Sequence, residues 1–216
     1  MIENPLFITI HGIDGTGKTT TTDKLTRSFD AAGVRAINYD LYESEKIKNP
    51  FSSAKKRVVN ETSPSAQLAY YLGSTLFHCS EIEGLLDEGY SVVKSRYIDD
   101  VLAHHAELRV PNTREITKLF PIVQPDLRVI LTLDEELRRE RITKRGKSNA
   151  KDKEVRSPGS RLDFFENYLL TINSELISIG KAIRIDTTHL DPQQVAEQII
   201  SHLLTTNLLQ PEGEHE

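Results

Sequence analysis

The sequence has little of what builds a disulfide scaffold or a nucleic-acid-binding surface. Its 216 residues include a single cysteine, Cys79, which excludes an internal disulfide and a metal cage made of cysteines. Acidic residues outnumber basic ones by 32 to 27, for a formal net charge of -5, whereas a protein that binds nucleic acid broadly usually shows a basic face. We therefore expect a protein of a reducing compartment without nucleic acid as a partner.

Long apolar runs are also absent. The N-terminus has no basic region, and the apolar run that begins at Leu6 is too short for a secretory signal or a membrane-spanning helix. A hydrophobic content of 38% beside 27% charged residues is typical of a soluble globular domain. These features predict a cytoplasmic protein that does not bind membranes.

What the sequence does contain is a glycine-rich turn at residues 12–19, which reads Gly-Ile-Asp-Gly-Thr-Gly-Lys-Thr. It matches the phosphate-binding P-loop pattern G-x-x-x-x-G-K-[ST] at every fixed position, between an apolar run and a helical pattern. Glycines let backbone N–H groups surround phosphate oxygens, and the helix N-terminus adds a partial positive charge. The alternative is a glycine turn with a solvated lysine. We predict a nucleoside-triphosphate site that consists of Gly12, Asp14, Gly15, Thr16, Gly17, Lys18, Thr19 and Thr20.

Three side chains of this loop carry the predicted chemistry. Lys18 can reach the β- and γ-phosphates, and the Thr19 hydroxyl can hold Mg²⁺ together with water. Asp14 can orient an acceptor group or a water on Mg²⁺, although aspartate is also a common turn former. The loop by itself does not identify the molecule that receives the phosphoryl group.

Apolar segments alternate with helical patterns along the rest of the chain, which predicts an α/β fold with a parallel sheet covered by helices on both faces. Ligands of such sheets lie beyond the carboxyl ends of the strands, so Asp40, Arg96 and the loop after Asp186 should share a rim with the P-loop. The predicted strands are 6–10, 35–40, 90–95, 127–133 and 182–186. The other predicted features are an irregular stretch over 41–63 with a short helix at 54–59, a long helix over 64–88, a capping box of Asn112 and Glu115, helix starts at Asp134 and Asp191, and one helix over 162–179.

Positive charge is concentrated between residues 138 and 161, where ten basic residues accompany three acidic ones. Phosphoryl transfer spreads negative charge over oxygen atoms, which a mobile arginine-rich lid can neutralise while it excludes water. The alternative is a solvated basic helix followed by a flexible loop. We predict a lid over about 138–161, with Arg138, Arg139, Arg141, Lys144, Arg145, Lys147, Lys151, Lys153, Arg156 and Arg161 as its basic residues.

Arg96 is a second candidate cation, because it follows an apolar strand at the predicted rim. It can bind an acceptor phosphate or a carboxylate, and the alternative is a structural ion pair with Asp99 or Asp100. His104 and His105 are adjacent and therefore point about 100° apart on a helix, which excludes a metal-binding pair. His11, at the end of the first strand, is expected to pack or to form hydrogen bonds.

Several segments together resemble the thymidylate kinase family of P-loop nucleoside monophosphate kinases. Residues 7–20 resemble its P-loop, usually Phe-Glu-Gly-x-Asp-Gly-x-Gly-Lys-Ser/Thr-Thr, and residues 92–105 are similar to its Asp-Arg-Tyr segment. Residues 125–145 resemble its Pro-Asp-leading strand and the Glu-Arg-x-x-x-Arg lid helix. The order of residues 162–165 and of the last strand also agrees, so the resemblance spans nearly the whole chain.

The resemblance implies a three-layer P-loop kinase fold, as a single domain over residues 1–208 with a flexible tail over 209–216. It implies an enzyme that uses ATP and Mg²⁺ to phosphorylate a nucleoside monophosphate, dTMP by default, and that is usually a homodimer. Arg141 resembles the arginine near the adenine, and Arg145 the lid arginine. The implied catalytic residues are Lys18, Asp14, Arg96 and Arg145. The candidate acceptor-binding residues are Asp40, Tyr42, Ser74, Arg96, Tyr97, Asp100 and His105.

The departures from the family pattern fall mainly on the acceptor side. His11 replaces a glutamate, and Ser95 replaces an aspartate that helps to organise the Mg²⁺ shell, a role for which Asp99 or Asp100 is a possible substitute. Residues 38–43 lack the arginine that holds the monophosphate in the family. The family's thymine-side arginine falls near Ser74, and His105 stands where glutamine is usual. Replacement cations are available in residues 55–57, which read Lys-Lys-Arg.

Two further hypotheses therefore stay open. Asp40, Glu43 and the missing arginines favour a kinase of another small hydroxyl- or amine-bearing metabolite, or of a nucleoside. A nucleotide-dependent switch or an inactive regulator belongs to a different class. The sequence lacks the guanine-reading Asn-Lys-x-Asp element of a GTPase, and only the lost aspartate at Ser95 supports an inactive regulator.

Overall fold

A computed structural model of the chain describes residues 4–47, 49–144 and 161–209, with the backbone alone for 161–163. Its centre is a five-stranded, fully parallel sheet with the strand order β2-β3-β1-β4-β5. The strands are β1 (Phe7–His11), β2 (Ala36–Asn38), β3 (Ser91–Ser95), β4 (Leu127–Thr132) and β5 (Ala182–Asp186). The predicted five-stranded parallel sheet is thus confirmed.

Helices connect the strands and cover both faces of the sheet, as parallel strand connections require. They are α1 (Lys18–Ala31), α2 (Tyr39–Lys46), α3 (Lys55–Glu61), α4 (Pro64–Asp87), α5 (Ile98–Glu107), α6 (Thr113–Thr117), α7 (Glu135–Lys144), α8 (Arg161–Ile172), α9 (Ser174–Ser178) and α10 (Pro192–Thr205). Within the described ranges, no helix is long and apolar enough to cross a membrane.

The two faces of the sheet bury separate apolar clusters. On one face α1 and α10 contribute Leu25, Phe29 and Ile199 to a cluster that continues into β1 and β4. On the other face α4 and α5 contribute Ile82 and Leu102. Every residue of the central strands β1 and β4 is buried, which agrees with their mostly apolar sequences.

Strand register places the functional segments at one edge of the sheet. Ile10 of β1 lies opposite Ser95 of β3, and His11 lies opposite Ile130 of β4. Thr132 in turn lies opposite Asp186, the last residue of β5. Because the strands are parallel, the P-loop and the chain after Ser95 and Asp186 leave the sheet on the same side, as predicted.

The second strand was predicted too long and the helix that follows it was missed, whereas the short helix predicted over 54–59 is observed as α3. β2 is only three residues long, and Tyr39, Asp40 and Tyr42 belong to α2 instead of a strand or loop. The side chain of Asn38 caps this helix by accepting a hydrogen bond from the Leu41 N–H at 3.4 Å. Burial of Tyr39 against the sheet turns the chain into a helix where sequence periodicity is too short to show one.

Two other local predictions are also wrong. Asn112 adopts a left-handed conformation with a φ of 54° and forms no side-chain cap on α6, so the predicted capping box does not exist. The helix predicted over 162–179 is interrupted at Asn173, whose buried amide donates to the Leu169 carbonyl at 3.0 Å.

The helix starts predicted at Asp134 and Asp191 are observed, since each carboxylate accepts hydrogen bonds from backbone N–H groups at the start of α7 and α10. Leu209 is buried in the core, and residues 210–216 of the predicted tail lie outside the described residues.

Candidate active site

The P-loop joins β1 to α1 and depends on glycine at its first position. Gly12 has a φ of +140°, and a Cβ atom there would lie 2.5 Å from the Leu131 carbonyl oxygen. Only glycine fits this approach without displacing β4. Thr16 closes the turn, since its hydroxyl donates to the Ile13 carbonyl at 2.9 Å. The loop is therefore shaped by contacts with its own backbone and with the neighbouring strand.

Lys18 lies inside this loop with only 6% of its surface exposed. Its ammonium group donates to the carbonyl oxygens of Gly12 at 2.7 Å and Ile13 at 2.8 Å, and lies 3.7 Å from a carboxylate oxygen of Asp14. Burial and the nearby Arg96 guanidinium lower the pKa of Lys18 to about 8. Thr19 and Thr20 are exposed in the first turn of α1, where a hydroxyl can reach a metal on the phosphates.

Arg96 connects the end of β3 to the P-loop. Its guanidinium forms an ion pair with Asp14, whereas the alternative predicted a pair with Asp99 or Asp100. Arg96 has a positive φ of 62°, a conformation in which few non-glycine residues occur, and about half of its side chain stays exposed. A cation on the acceptor side thus meets the loop that serves the donor phosphates.

A buried charge network lies below the loop and holds His11, Asp99, Asp100 and Arg128. His11 Nδ1 contacts an oxygen of Asp100, while its Nε2 lies 2.8 Å from the Thr9 hydroxyl and 3.5 Å from Asp99. Burial opposes protonation of His11, but the two carboxylates outweigh it and raise its pKa. Arg128 donates to Asp99 at 3.3 Å. His11 therefore forms hydrogen bonds in the core, as expected.

On the acceptor side, Asp40 is fixed against the end of β3. One of its carboxylate oxygens accepts hydrogen bonds from the Ser95 hydroxyl and from the Ser95 N–H, the latter at 3.2 Å. The other oxygen lies 3.6 Å from the ammonium of Lys94, a buried residue that also lies 3.8 Å from Glu43. The predicted rim position of Asp40 is thus observed, but its partner Lys94 was missed because it stands within an apolar strand.

His78 extends this polar cluster onto α4. Its Nδ1 lies 3.0 Å from the Tyr39 hydroxyl, and its Nε2 lies 3.6 Å from Glu43. Burial, followed by the positive charge of Lys94, lowers the pKa of His78 to about 4, so the imidazole is neutral at pH 7. His78 could not be identified from the sequence, because a histidine in a long helix of mixed composition has no distinguishing neighbours.

The remaining candidate acceptor residues do not all reach the rim. Tyr97 is buried, and its hydroxyl lies 3.0 Å from the sulfur of Cys79, so its side chain belongs to the core. Tyr42 and Ser74 are half-buried on α2 and α4. His105 is fully buried and donates from Nδ1 to the Val101 carbonyl at 2.7 Å, which leaves its Nε2 without a partner among the described residues.

The cations at residues 55–57 do not replace the missing arginines in this structure. All three side chains are exposed on α3, and Arg57 forms an ion pair at 3.2 Å with Glu61 of the same helix. Arg57 and Glu61 are four residues apart, a spacing that brings opposite charges together on the solvated face of a helix.

Only the first part of the predicted lid can be described. Arg138 is 2% exposed and packs on the P-loop, where a Cβ atom added to Gly15 would lie 2.9 Å from its Cγ. Arg141 donates to the Thr187 carbonyl at 3.3 Å. Arg139 and Lys144 pair with Glu135 and Glu140 on the same helix, as a solvated basic helix would. Arg145 and the basic residues from 147 to 156 lie outside the described residues.

Mg²⁺ fits the site as a partner of bound phosphates. In the part of the chain that the structure describes, no group of three or more His, Cys, Asp or Glu side chains is arranged to hold a metal by itself. A buried oxygen of Asp100, Oδ1, has no hydrogen-bond partner there. A hard cation with oxygen ligands and retained waters suits an exposed threonine hydroxyl and a carboxylate that acts through water.

Comparisons with known proteins agree with this geometry. A family model described as thymidylate kinase matches residues 10–199. The thymidylate kinase of Rickettsia typhi is 25% identical over 207 residues, which cover 91% of this chain and 96% of that protein. The thymidylate kinase of Wolbachia pipientis wMel is 30% identical over 156 residues, 68% of this chain and 74% of that protein. The structure of thymidylate kinase from Candida albicans superimposes with a TM-score of 0.71 at 18% identity, over 94% of this chain and 93% of that chain.

Proposed function

Because this chain belongs to the thymidylate kinase family, we propose that it is an ATP- and Mg²⁺-dependent kinase that transfers the γ-phosphoryl group to dTMP. The observation that carries the proposal is the contact between Arg96 and Asp14. It joins the carboxyl end of β3 to the P-loop, so that an acceptor phosphate bound by Arg96 would lie next to the γ-phosphate. Holding two reacting groups in this way lowers the entropic part of the barrier.

The donor phosphates are assigned to the P-loop. Backbone N–H groups of residues 12–19 would surround them, and the Lys18 ammonium would exchange its two carbonyl partners for phosphate oxygens. Arg141, held beside Thr187, would border the adenine. Thr19 would hold Mg²⁺, which when bound bridges the β- and γ-phosphates and neutralises developing charge. Arg145 is proposed as the lid arginine.

The acceptor is assigned to the space bounded by Arg96, Asp40 and α4. Arg96 would bind its phosphate, and Ser74 is proposed to contact the base or sugar, whereas the fully buried His105 would contribute to this space through packing. Asp40, which Ser95 and Lys94 hold in place, would line the rim of this space. Tyr97 would contribute through its backbone and through packing, since its side chain is buried.

A coupled assay of ADP release tests the proposal against dTMP, dUMP, dCMP and dGMP, and against nucleosides and amino sugars. We expect the highest kcat/KM for dTMP, with no turnover when Mg²⁺ is removed by EDTA. Absence of dTMP turnover in a folded protein that binds ATP would refute the proposed acceptor.

A second candidate is a kinase of a neutral or cationic acceptor such as a nucleoside. It is favoured by the carboxylates of Asp40 and Glu43 on the acceptor side and by the outward orientation of residues 55–57. In the same assay it predicts that thymidine or another uncharged compound is phosphorylated faster than dTMP.

We further propose a cytoplasmic homodimer with no nucleic-acid partner, as the family resemblance implies. An apolar groove of about 530 Å³ between α4 and α6, lined by residues such as Leu72, Ile116 and Phe120, offers a surface for a second copy. Light scattering of the purified chain should give twice the monomer mass, and a monomer at micromolar concentration would contradict this part of the proposal.

A further inference from the structure

Asp100 lies in the first turn of α5, where its carboxylate contacts His11, the residue directly before the P-loop. One of its oxygens, Oδ2, contacts His11 Nδ1 and accepts from the Tyr97 N–H at 3.3 Å. The other oxygen, Oδ1, is buried and has no partner among the described residues. Since buried carboxylate oxygens are ordinarily hydrogen-bonded, this atom requires an explanation.

The charges around Asp100 favour its ionised form. Burial alone would raise the pKa of its carboxyl, but His11, Arg96 and Lys18 together hold the pKa below its usual value. Lys18 and Arg96 influence it from the side on which the phosphates would bind. A charged oxygen that accepts nothing from the described residues is therefore available to a donor brought in with the nucleotide.

The neighbouring carboxylates are already occupied. Asp99 lies 3.3 Å from Arg128 and 3.5 Å from both His11 and Asn173. Both oxygens of Asp40 face Ser95 and Lys94. Asp100 thus differs from both, because its free oxygen is buried and its charge interacts with Lys18.

From this geometry we infer that Asp100 Oδ1 accepts a hydrogen bond from the water shell of Mg²⁺ bound with the nucleotide. It thereby supplies the carboxylate that is missing at Ser95. The inference rests on the proposed function and assigns the role to Asp100 instead of Asp99 or Asp40. A carboxylate held by a second group and directed at a hydrated Mg²⁺ suits a metal that keeps several of its waters.

The test measures the affinity of the full chain for a non-hydrolysable ATP analogue, in MgCl₂ and in EDTA, by calorimetry without an acceptor. We expect Mg²⁺ to tighten binding to the wild-type chain, and Asp100→Asn to reduce this gain about tenfold or more, as loss of a charge-assisted hydrogen bond implies. Affinity in EDTA should not weaken, because the substitution removes a negative charge near the phosphates.

Asp40→Asn is the matched control, since it removes a carboxylate charge from the same rim. It should keep the full Mg²⁺-dependent gain. The inference is overturned if Asp100→Asn keeps the gain or if Asp40→Asn loses it. Should Asp100→Asn fail to fold by circular dichroism, Asp100→Ser provides the same comparison with a short neutral side chain.

A measurement on the wild-type chain does not depend on any variant. With Mn²⁺ and the ATP analogue bound to protein labelled with ¹³C-aspartate, the paramagnetic metal should broaden the carboxyl signal of Asp100 more than that of Asp40. Equal or weaker broadening at Asp100 contradicts the inference. Since neither experiment contains an acceptor, a chain that shows the metal coupling but no dTMP turnover refutes the proposed function alone.

Discussion

The donor half of the site, residues 12–20, and the acceptor half, which comprises Asp40, Glu43, Ser74, His78, Lys94, Ser95 and His105, are built in different ways. The donor half is one continuous stretch whose shape is fixed by its own backbone and by β4. The acceptor half is assembled from α2, α4, β3 and α5, and its polar side chains bind mainly one another. Because the donor half is one continuous stretch with a fixed backbone, its residues still match the family pattern. The residues of the acceptor half lie on separate elements, so they can be substituted one contact at a time.

The largest effect is expected from a substitution in the donor half. Lys18→Ala removes the only ammonium inside the described P-loop and should lower kcat about 10³-fold, because a preorganised charge on the transferring phosphate is lost. Steady-state phosphotransfer with saturating ATP measures this. Arg27→Ala, an exposed residue of α1 paired with Asp23, is the control and should retain full activity. Comparable loss in both variants would point to a folding defect instead of a catalytic one.

Acid should disturb the acceptor half through His78. Its pKa of about 4 in the folded chain lies below the usual 6.5, so the unfolded chain binds more protons between these values. The free energy of unfolding therefore rises with pH from about 4 to 6.5, and this contribution is complete above 6.5. Its full size is up to about 3 kcal/mol.

Urea unfolding of the wild-type chain and of His78→Gln, measured from pH 4.5 to 7.5, isolates this contribution. Carboxyl groups titrate in both proteins, so the difference between the two curves reports His78. The wild-type chain should lose more stability on acidification than the variant. Parallel curves would show that His78 is not held neutral by burial.

Adding a cation should strengthen the acceptor half. Ser74→Arg places a guanidinium on the half-buried face of α4 near the proposed acceptor space, and should lower the KM for dTMP about tenfold through a charge-assisted hydrogen bond. Ser80→Arg, on an exposed position of the same helix, adds the same charge away from that space. An equal change in both variants would indicate general electrostatic attraction.

The smallest effect concerns the cations of α3. Arg57→Ala removes an exposed side chain that pairs with Glu61, so the KM for dTMP should change less than about twofold. The same kinetic assay measures it. A tenfold rise would mean that α3 turns toward the acceptor during catalysis, and would make the two halves of the site more alike.

The contrast between the halves also explains how far the sequence could predict the molecule. The P-loop, the five strands and the rim positions of Asp40 and Arg96 follow from local patterns that topology then brings together. Buried polar contacts could not be predicted in this way. The pairing of Asp40 with Ser95, the neutral state of His78 and the packing of Arg138 on Gly15 depend on which side chains meet across distant elements.

Tertiary packing also overrides local signals within single elements. Asn112 and Glu115 have the spacing of a capping box, but the left-handed backbone at Asn112 prevents it. Asn173 interrupts a periodic apolar pattern because its amide is buried between α8 and Asp99. Residue types that favour one conformation in isolation thus adopt another when burial or a distant partner is more favourable.

The isolation of Cys79 makes the protein convenient to label. The single thiol of the chain is 4% exposed and lies against the Tyr97 hydroxyl in the core. A maleimide dye should therefore react slowly with the native protein and quickly with a cysteine introduced on the surface. Fluorescent probes for nucleotide binding or self-association can then be attached at chosen positions while every native residue of the core is kept.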